Sequence, residues 1–381
     1  MTIFCDRQLD PFSLYPLAML ETQLARALRL NLHFFGCQEA NPEPQLRIFR
    51  CLAWHSSRWE ELSLQLTSAL FPLLCSLRGD VPSLRKIFIQ WDGPKAQSGV
   101  DSTLDFLETA PSLIDVGIYN EYRFIPVSLP AQQLTRYQYD GPWKTHRDIL
   151  KQARNLVEAR ISVQFNDSPF PPPQPSEIIE LPCLSHAYLT TPRVFDYIQA
   201  PALDDLVLSV KERHESSIVG SLQSFINRSS CTIRRLCLSS FTAPSAIAIL
   251  QAISSITELR IVVAEYDFQG VRTLLENLTV AEALGSAIVA SQLRCISLGC
   301  PMRGDDMHLD YGLYLGMVKS RWKADHCALT KSAVFLHSGP GPDAVTRSGL
   351  DQLREEGMDL LLLVGEEASD VMDYWLCHAR Y

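Results

Sequence analysis

The apolar residues of this chain recur in a short pattern, with leucine or a similar residue at the first, fourth and sixth positions. Side chains alternate between the two faces of a strand, so the fourth and sixth positions point to the same side. Each copy therefore predicts one strand whose apolar side faces the core. The clearest copies are Leu84-Ile87-Ile89, Leu113-Val116-Ile118, Leu203-Leu206-Leu208, Ile233-Leu236-Leu238 and Leu293-Ile296-Leu298.

Copies of this pattern follow one another along most of the chain. Successive copies start 19 to 37 residues apart. Most separations lie within or close to the range of about 20–29 residues that is typical of leucine-rich repeats. The spacing varies, which indicates a degenerate repeat. The copies start at Trp59, Leu84, Leu113, Leu134, Leu156, Leu184, Leu203, Ile233, Ile256 and Leu293.

Stretches with helical spacing of apolar residues separate many of these strands. Stacked strand–helix units place their strands in parallel and their helices on the outside. The fold class that we predict is therefore α/β: an irregular leucine-rich-repeat-like solenoid, with a curved parallel sheet and helices on its convex side. Helical spacing is found in 62–77, 100–107, 149–156, 218–226, 246–256 and 271–284, and the chain should end with a strand at 333–337, a helix at 343–357 and a strand at 358–364.

The solenoid is expected to be a single body over residues 1–381, because each repeat packs on its neighbours. Within it, residues 1–50 should form an N-terminal cap region and residues 338–381 a C-terminal cap. Residues 166–182 contain six prolines and are predicted to be an inter-repeat loop. A polyproline ligand for an aromatic groove is the alternative interpretation of this segment.

Charge and composition argue against several function classes. The net charge of -9 argues against nucleic-acid binding, which requires a basic surface. The longest aliphatic run covers only 360–364, whereas a bilayer span takes about 20 residues, so we predict no membrane partner. The N-terminus carries charges and prolines where a signal peptide is apolar, and the 11 cysteines form no CxxC pair. Both features favour reduced thiols and a cytoplasmic or nuclear location.

Common catalytic motifs are absent from the sequence, including GxxxxGK, GxGxxG, GxSxG and HExxH. We therefore predict that the protein is not an enzyme and has no catalytic residues, metal ligands or cofactor. The densest set of potential metal ligands leaves one alternative, a metal-dependent hydrolase. That set is Asp305, Asp306, His308 and Asp310.

Side chains that alternate with the apolar pattern should lie on the opposite face of each strand and line the concave surface. They mix both charges with aromatic residues, which favours a protein-binding surface because Tyr and Arg are common interface anchors. Trp91 and Trp143 follow strand ends, where loops would place them at the rim. For each position, the alternative is a solvated polar side chain without a partner. The predicted partner-binding residues are Phe88, Trp91, Tyr119, Arg136, Asp140, Trp143, Arg160, Tyr188 and Arg235.

Four short stretches of the sequence carry a family resemblance. They are LETQLAR at 20–26, HSSRWEELSL at 55–64, PSLRKI at 82–87 with Trp91-Asp92, and 182–206, which begins PCL and ends APALDDL. In their order they resemble the fungal F-box proteins whose C-terminal region is a degenerate leucine-rich-repeat fold. The resemblance implies a substrate-recruiting subunit of a cullin-type ubiquitin ligase, in which the F-box binds a Skp-type adaptor and the repeats bind the protein to be modified.

The F-box itself is expected to be missing from this sequence. In the family it is a three-helix segment that begins near a Leu-Pro-x-Glu motif, but the similar residues here, 46–49 and 58–59, are too close together for three helices. We therefore expect a protein-interaction module with an unknown protein ligand, and adaptor and cullin partners only if an F-box lies upstream. The alternative is an intact receptor that contacts the adaptor through a helix within 17–32.

Overall fold

The protein has a mixed α/β fold, with a large parallel sheet of 14 strands and accompanying helices. It divides into two compact units, of which the first comprises Met1–Pro172 and Ile179–Leu184 and the second comprises Pro173–Ile178 and Ser185–Tyr381. The computed structural model describes residues 1–4, 17–38, 41–98, 102–120, 122–165, 170–171, 177–209, 218–263, 268–280, 288–301, 309–324, 327 and 329–376.

The first unit contains strands β1–β8 and helices α1–α5. Its strands are β1 (Thr2–Phe4), β2 (Leu30–Phe35), β3 (Trp59–Leu66), β4 (Lys86–Trp91), β5 (Asp115–Tyr119), β6 (Arg136–Gly141), β7 (Glu158–Val163) and β8 (Ile179–Glu180). Its helices are α1 (Leu17–Arg26), α2 (Glu43–Ala53), α3 (Phe71–Cys75), α4 (Pro94–Ser98) and α5 (Trp143–Leu150). Strands β1 to β7 pair in chain order, each parallel to the next.

The apolar positions of the pattern form the core of this unit. Leu62, Ile87 and Val116 are paired across three neighbouring strands, and all three are buried. The Phe49 ring of α2 packs edge-on against Phe34 of β2, with ring centroids 5.4 Å apart. Such an aromatic pair adds about 0.5–1.5 kcal/mol to what burial alone contributes. We call the side of each strand that carries the pattern residues the core face, and the opposite side the second face.

The second unit contains strands β9–β16 and helices α6–α11. Its strands are β9 (His186–Leu189), β10 (Ile198–Gln199), β11 (Asp205–Ser209), β12 (Arg235–Ser239), β13 (Glu258–Val262), β14 (Cys295–Cys300), β15 (Lys331–Leu336) and β16 (Asp359–Val364). Its helices are α6 (Ile218–Ser229), α7 (Ala243–Ala252), α8 (Phe268–Leu278), α9 (Tyr311–Trp322), α10 (Ala344–Glu355) and α11 (Glu366–Leu376). Strands β9 and β11 to β16 pair in parallel.

Helix α10 shows how local sequence sets the ends of an element. The Oδ1 atom of Asp343 accepts a hydrogen bond from the Thr346 amide at 2.7 Å, which satisfies one of the free N–H groups of the first turn. The helix ends at Glu355, and Gly357 follows with a φ of +97°, which suits glycine, while the Met358 amide donates back to the Leu353 carbonyl at 3.0 Å. This turn leads the chain directly into β16.

All strands expected from the apolar pattern are present. The strands β4 to β7, β9 and β11 to β14 each begin two residues after the first residue of a copy, and β3 begins at Trp59 itself. The strands expected at 333–337 and 358–364 are β15 and β16. Strands β1, β2, β8 and β10 were not predicted. Strands β1 and β2 have no one-four-six pattern, since the buried residues of β2 simply alternate, and β8 and β10 have only two residues each. The curvature of a solenoid remains a prediction.

The helix expectations were less accurate. Helical spacing at 218–226, 246–256 and 343–357 corresponds to α6, α7 and α10, and 271–284 overlaps α8. The spacing at 149–156 marks the end of α5 and the turns after it. Two predictions were wrong. They are 62–77, where β3 continues to Leu66 before the short helix α3, and 100–107, where Leu104 makes a β-bridge to Val127 and turns follow.

The regions outside the repeats have structure of their own. Residues 1–50 include β1, α1, β2 and the start of α2, and 338–381 include α10, β16 and an unexpected last helix, α11. Within the Pro-rich segment 166–182, strand β8 is formed by Ile179 and Glu180. The prediction of a single body over 1–381 remains a prediction. None of the helices in the described ranges has the length and apolar character needed to cross a bilayer.

Candidate functional site on the second faces of the two units

The second face of the first unit begins with a row of alternating charges. Strand register places Glu61, Lys86, Asp115, Arg136 and Glu158 side by side on β3 to β7. Asp115 lies 3.9 Å from the Lys86 ammonium and 3.8 Å from the Arg136 guanidinium, and Arg136 lies 3.1 Å from Glu158. We call these five residues the charged row. Opposite charges on neighbouring strands attract, so the row favours this pairing register.

Next to the charged row, a set of aromatic and polar side chains forms a connected cluster. The Phe88 and Tyr119 rings lie 5.1 Å apart, and the Arg160 guanidinium carbon lies 4.7 Å from the centre of the Tyr119 ring. The Tyr119 hydroxyl donates to Gln138 Oε1 at 2.8 Å, and Arg160 donates to Asp140 Oδ1 at 2.9 Å. These five residues are the Tyr119 cluster. Each holds another in place, so the cluster presents a fixed arrangement of ring and cation.

A glycine makes the aromatic contact possible. Gly117 lies between Phe88 and Gln138 in the register of the sheet. A Cβ atom at Gly117 would stand 3.0 Å from Cδ2 of Phe88, closer than side chains normally approach. The missing side chain gives the Phe88 ring room to lean across β5 and reach Tyr119.

The ionic part of the cluster is largely withdrawn from water. The Asp140 side chain is buried and that of Arg160 is only 17% exposed. Burial raises the pKa of Asp140 above its usual value, while the Arg160 charge and the hydrogen bond from Ser162 act in the opposite direction. Removing either partner would leave the other charge poorly solvated, so the pair is a structural part of the surface.

The structure brings five of the predicted partner-binding residues together. Phe88, Tyr119, Asp140 and Arg160 belong to the Tyr119 cluster, and Arg136 lies in the adjacent charged row. Arg136 is 54% exposed, whereas Arg160 is only 17% exposed and is paired with Asp140.

Two predicted residues lie elsewhere, and their placement at an exposed rim was wrong. Trp91 is the last residue of β4 and is 8% exposed, because it shares the core face with Ile87 and Ile89 and stacks on Phe71 of α3. Trp143 is the first residue of α5 and is 3% exposed. Its ring stacks on Phe170 at 5.5 Å between centroids.

The remaining two predicted residues lie on the second face of the second unit. Arg235 of β12 forms ion pairs with Asp204 at 2.9 Å and with Asp205 at 3.2 Å. Tyr188 of β9 is partly buried and packs against a cluster of apolar side chains. Neither residue has neighbours like those in the Tyr119 cluster. Arg235 is paired with two acids, and Tyr188 lies against apolar side chains.

Beyond its first row of charges, the second face of the second unit is mainly apolar. Strands β11, β12, β13 and β15 contribute buried apolar side chains at positions where the pattern predicts polar ones. Consecutive apolar residues in these strands, such as Leu206-Val207-Leu208, could have indicated burial on both sides. We call the following residues the apolar surface: Val207, Cys237, Val262, Ala333 and Phe335, with the partly buried Tyr188 and Leu363.

Helix α11 covers this apolar surface. Ala368, Met372 and Trp375 project from the helix into the same buried cluster. The Trp375 ring meets Phe335 edge-on at 4.9 Å, and the His337 ring nitrogen lies 2.5 Å from the Ser369 hydroxyl. The sequence did not indicate this contact, because the helix follows the last strand and nothing in its own pattern says which face of the sheet it joins.

The described part of the chain contains no group of three or more His, Cys, Asp or Glu side chains that could hold a metal ion. Asp310, the described member of the predicted ligand set, is the N-cap of α9, and its Oδ1 accepts from the Leu313 amide at 2.9 Å. Asp305, Asp306 and His308 lie outside the described residues.

His146 is a buried histidine that joins a helix to the sheet. Tyr137 and the Ser162 carbonyl hold His146 of α5 at 2.9 Å and 3.2 Å, and burial lowers the pKa of His146 to about 4. The imidazole is therefore neutral at pH 7 and links α5 to two strands of the sheet.

Comparison with known proteins assigns no family to the chain. A scan against protein-family models gave no match, and a search of curated proteins found no significant similarity.

Proposed function

We propose that this protein is a non-enzymatic protein-interaction module, built as an irregular leucine-rich-repeat-like solenoid, and that it binds a partner protein through the second face of its first unit. The observation that carries the proposal is the Tyr119 cluster. Arg and Tyr are the residue types that most often dominate binding energy at protein interfaces. Here both are already fixed by Asp140 and Gln138, so little conformational entropy is lost when a partner orders them further.

The surroundings of the cluster define the chemistry of the partner. Phe88 and Tyr119 offer partly exposed ring surface, and Lys86 and Arg136 offer cations that are already balanced by acids in the charged row. A segment that brings an apolar side chain to the rings and an acidic side chain to Arg136 would find complementary groups for both. A nucleic-acid backbone would meet Asp115 and Glu158 as well, and these repel phosphate.

The resemblance of the sequence to fungal F-box proteins supports a more specific role. We propose that the module corresponds to the substrate-binding part of a ubiquitin-ligase receptor, so that the bound protein is one destined for modification. The parallel repeats of strand and helix agree with that architecture. In this role, an adaptor and a cullin would join the complex through an F-box.

Affinity purification with charge-reversal variants tests this proposal. Arg136→Glu changes an exposed residue of the charged row, and Arg154→Glu makes the same charge change at an exposed position after α5. Tyr119→Ala removes the centre of the cluster, and we expect it to weaken partner binding about 30-fold, the effect of a hot spot of about 2 kcal/mol. Arg136→Glu should weaken the same partners, whereas Arg154→Glu should leave them bound. Equal recovery by all folded variants would contradict the assignment of this surface.

A second candidate function is direct adaptor binding at the N-terminal end of the first unit. Leu28 and Trp54 are 88% and 87% exposed, and Arg58 ties their segments together by donating to the Ala27 carbonyl and contacting His55. The helix expected within 17–32 is α1, which covers Leu17–Arg26 before the chain enters β2 at Leu30. A pull-down with a Skp-type adaptor should be lost in Leu28→Asp/Trp54→Asp. Failure of the unmodified protein to bind the adaptor would remove this candidate.

A further inference from the structure

The apolar surface of the second unit has the properties of a groove for a helix. It is lined by side chains of six strands of the parallel sheet, and in this structure its occupant is α11. Ala368, Met372 and Trp375 are spaced i, i+4 and i+7, which places them on one side of the helix. This is the anchor spacing with which amphipathic helices enter apolar grooves on other proteins.

The space above Gly299 explains where the two large side chains, Met372 and Trp375, enter the surface. Gly299 of β14 lies under Met372: a Cβ atom there would stand 2.7 Å from the Met372 sulfur and 3.2 Å from the Trp375 ring. The two large side chains therefore enter where the sheet has no side chain. Ala368 is also completely buried, which leaves no room for a larger residue at that position.

The opposite side of α11 is polar and points to solvent. Glu366, Glu367, Asp370 and Asp373 are exposed and make the helix acidic. On the second face of β13, Arg260 is held by Glu258, whose Oε1 accepts a hydrogen bond from Arg260 Nε at 3.0 Å. A helix with an apolar stripe and a polar outer side therefore suits this surface, because the stripe meets apolar side chains while the acids stay in water.

The connection of α11 to the unit is local. The helix follows β16 through Gly365, which has a φ of +101° and whose amide donates to the Leu336 carbonyl at 2.9 Å. The chain before this glycine belongs to the sheet, and the chain after it belongs to the helix. The helix can therefore leave the surface by a change at one residue, without breaking any strand pairing.

We propose that the apolar surface of the second unit is a binding groove for an amphipathic helix of a partner protein, and that α11 occupies it in the absence of that partner. The partner helix carries a small residue, a long apolar residue and an aromatic residue at i, i+4 and i+7, as α11 does. A tethered helix acts at a local concentration in the millimolar range, so it excludes weak ligands and yields to a partner with a tighter contact. The inference does not rest on the function proposed for the first unit.

A labelled peptide with the sequence of residues 365–376 tests the groove directly. In the full-length protein, Met372→Asp should release α11, since it places a charge among the apolar residues of the cluster. Tyr374→Asp is the matched control, because it adds the same charge on the exposed side of the same helix. Fluorescence anisotropy should show that the peptide binds Met372→Asp at least tenfold more tightly than it binds the unmodified protein or Tyr374→Asp. Equal affinity for all three folded proteins would overturn the proposal.

A thiol in the groove provides a second measurement. Cys237 lies in the covered cluster, whereas Cys300 is buried on the core face of β14. Iodoacetamide labelling followed by peptide mass spectrometry should show faster modification of Cys237 in Met372→Asp, unchanged modification of Cys300, and renewed protection of Cys237 when the peptide is added. Faster labelling that the peptide does not reverse would mean that the surface is not a helix-binding groove.

If Met372→Asp does not fold, hydrogen exchange of the unmodified protein still tests the proposal. Amides of α11 should exchange several times faster than those of β12 to β14, because the helix opens while the sheet remains paired. Exchange of α11 together with the strands, in one event, would show that the helix is a permanent part of the core and would overturn the proposal.

Discussion

The second faces of the two units follow the same register but have opposite chemistry. Both begin with charges of alternating sign, Lys86 to Glu158 in the first unit and Asp205 to Glu258 in the second. Two residues further along each strand, they diverge. The first unit has polar and aromatic side chains that bond to one another, whereas the second has mainly apolar side chains that α11 covers. The same repeat therefore makes a polar surface whose side chains bond to one another or an apolar surface that a helix covers, depending on one row of residues.

Paired strands make the comparison residue by residue. The next row of the first unit, on β3 to β7, combines one aromatic ring with a glycine and with groups that form hydrogen bonds. In the matching row of the second unit, apolar residues outnumber polar ones. These apolar side chains are shielded from water only when another element covers them. The two rows are Ser63, Phe88, Gly117, Gln138 and Arg160, and Tyr188, Val207, Cys237, Arg260, Ser297, Ala333 and Leu361.

Truncating one phenylalanine on each surface should give the largest difference in stability between the two units. Phe335→Ala removes a ring that is buried between the sheet and Trp375, and we expect it to lower the free energy of unfolding of the second unit by about 3–5 kcal/mol. Phe88→Ala removes a ring that is only partly buried, and the expected loss in the first unit is about 1 kcal/mol. Denaturant titration followed by hydrogen-exchange mass spectrometry would assign each loss to its unit. Similar losses in both would mean that α11 adds little to the second unit.

Much of this fold could be predicted from the spacing of apolar residues, because strand pairing follows from alternation and from the residue that starts each copy. The same alternation places Trp91 on the core face, two residues after Ile89, although an aromatic residue at a strand end resembles a rim anchor. The Tyr119 cluster could be predicted only as a set of second-face residues, since the contact of Arg160 with Tyr119 spans 41 positions in sequence but only two strands in the sheet. The cover of the second unit could not be predicted, because an amphipathic helix fits either face of a sheet.

Acidification should affect the first unit through His146. The folded-state pKa of about 4 lies below the ordinary value of 6.5, so the unfolded chain takes up a proton first as the pH falls. The stability that depends on the neutral ring is complete above pH 6.5 and is lost between 6.5 and about 4, a change of about 3 kcal/mol. Raised pKa values of Asp115 and Asp140 act in the opposite direction, so the informative quantity is the difference between the protein and His146→Gln.

Urea titrations across this pH range would measure that difference. The histidine variant should show a flatter pH profile for the first unit and an unchanged one for the second unit, which contains no part of the His146 environment. A pH profile that His146→Gln leaves unchanged would mean that the buried imidazole is not the group that acid titrates.

The coupling energy of an ion pair should differ between the two surfaces, by less than the stability changes expected above. A double-mutant cycle with Arg160→Ala and Asp140→Ala should give a coupling energy of about 1–2 kcal/mol, because both side chains are largely buried. The matching cycle for Arg235 and Asp205 should give about 0.5 kcal/mol, since Arg235 is more exposed and water screens the pair. Equal couplings would show that the Tyr119 cluster is no more preorganised than an ordinary surface pair.

Mutations in the first row of charges should have a similar small effect on stability in both units. The difference between the units is then confined to the rows beyond it. Arg136→Ala is expected to cost at most about 0.5 kcal/mol, because its guanidinium is more than half exposed and its pairs with Asp115 and Glu158 are screened by solvent. Lys331→Ala in the second unit removes a similarly exposed pair with Asp359 and should have an effect of the same size. Both effects should vanish in about 1 M salt, where the screening length is about 3 Å. A cost at Arg136 that persists in salt would mean that this residue stabilises the polar surface by packing, and the divergence between the units would then begin at the first row.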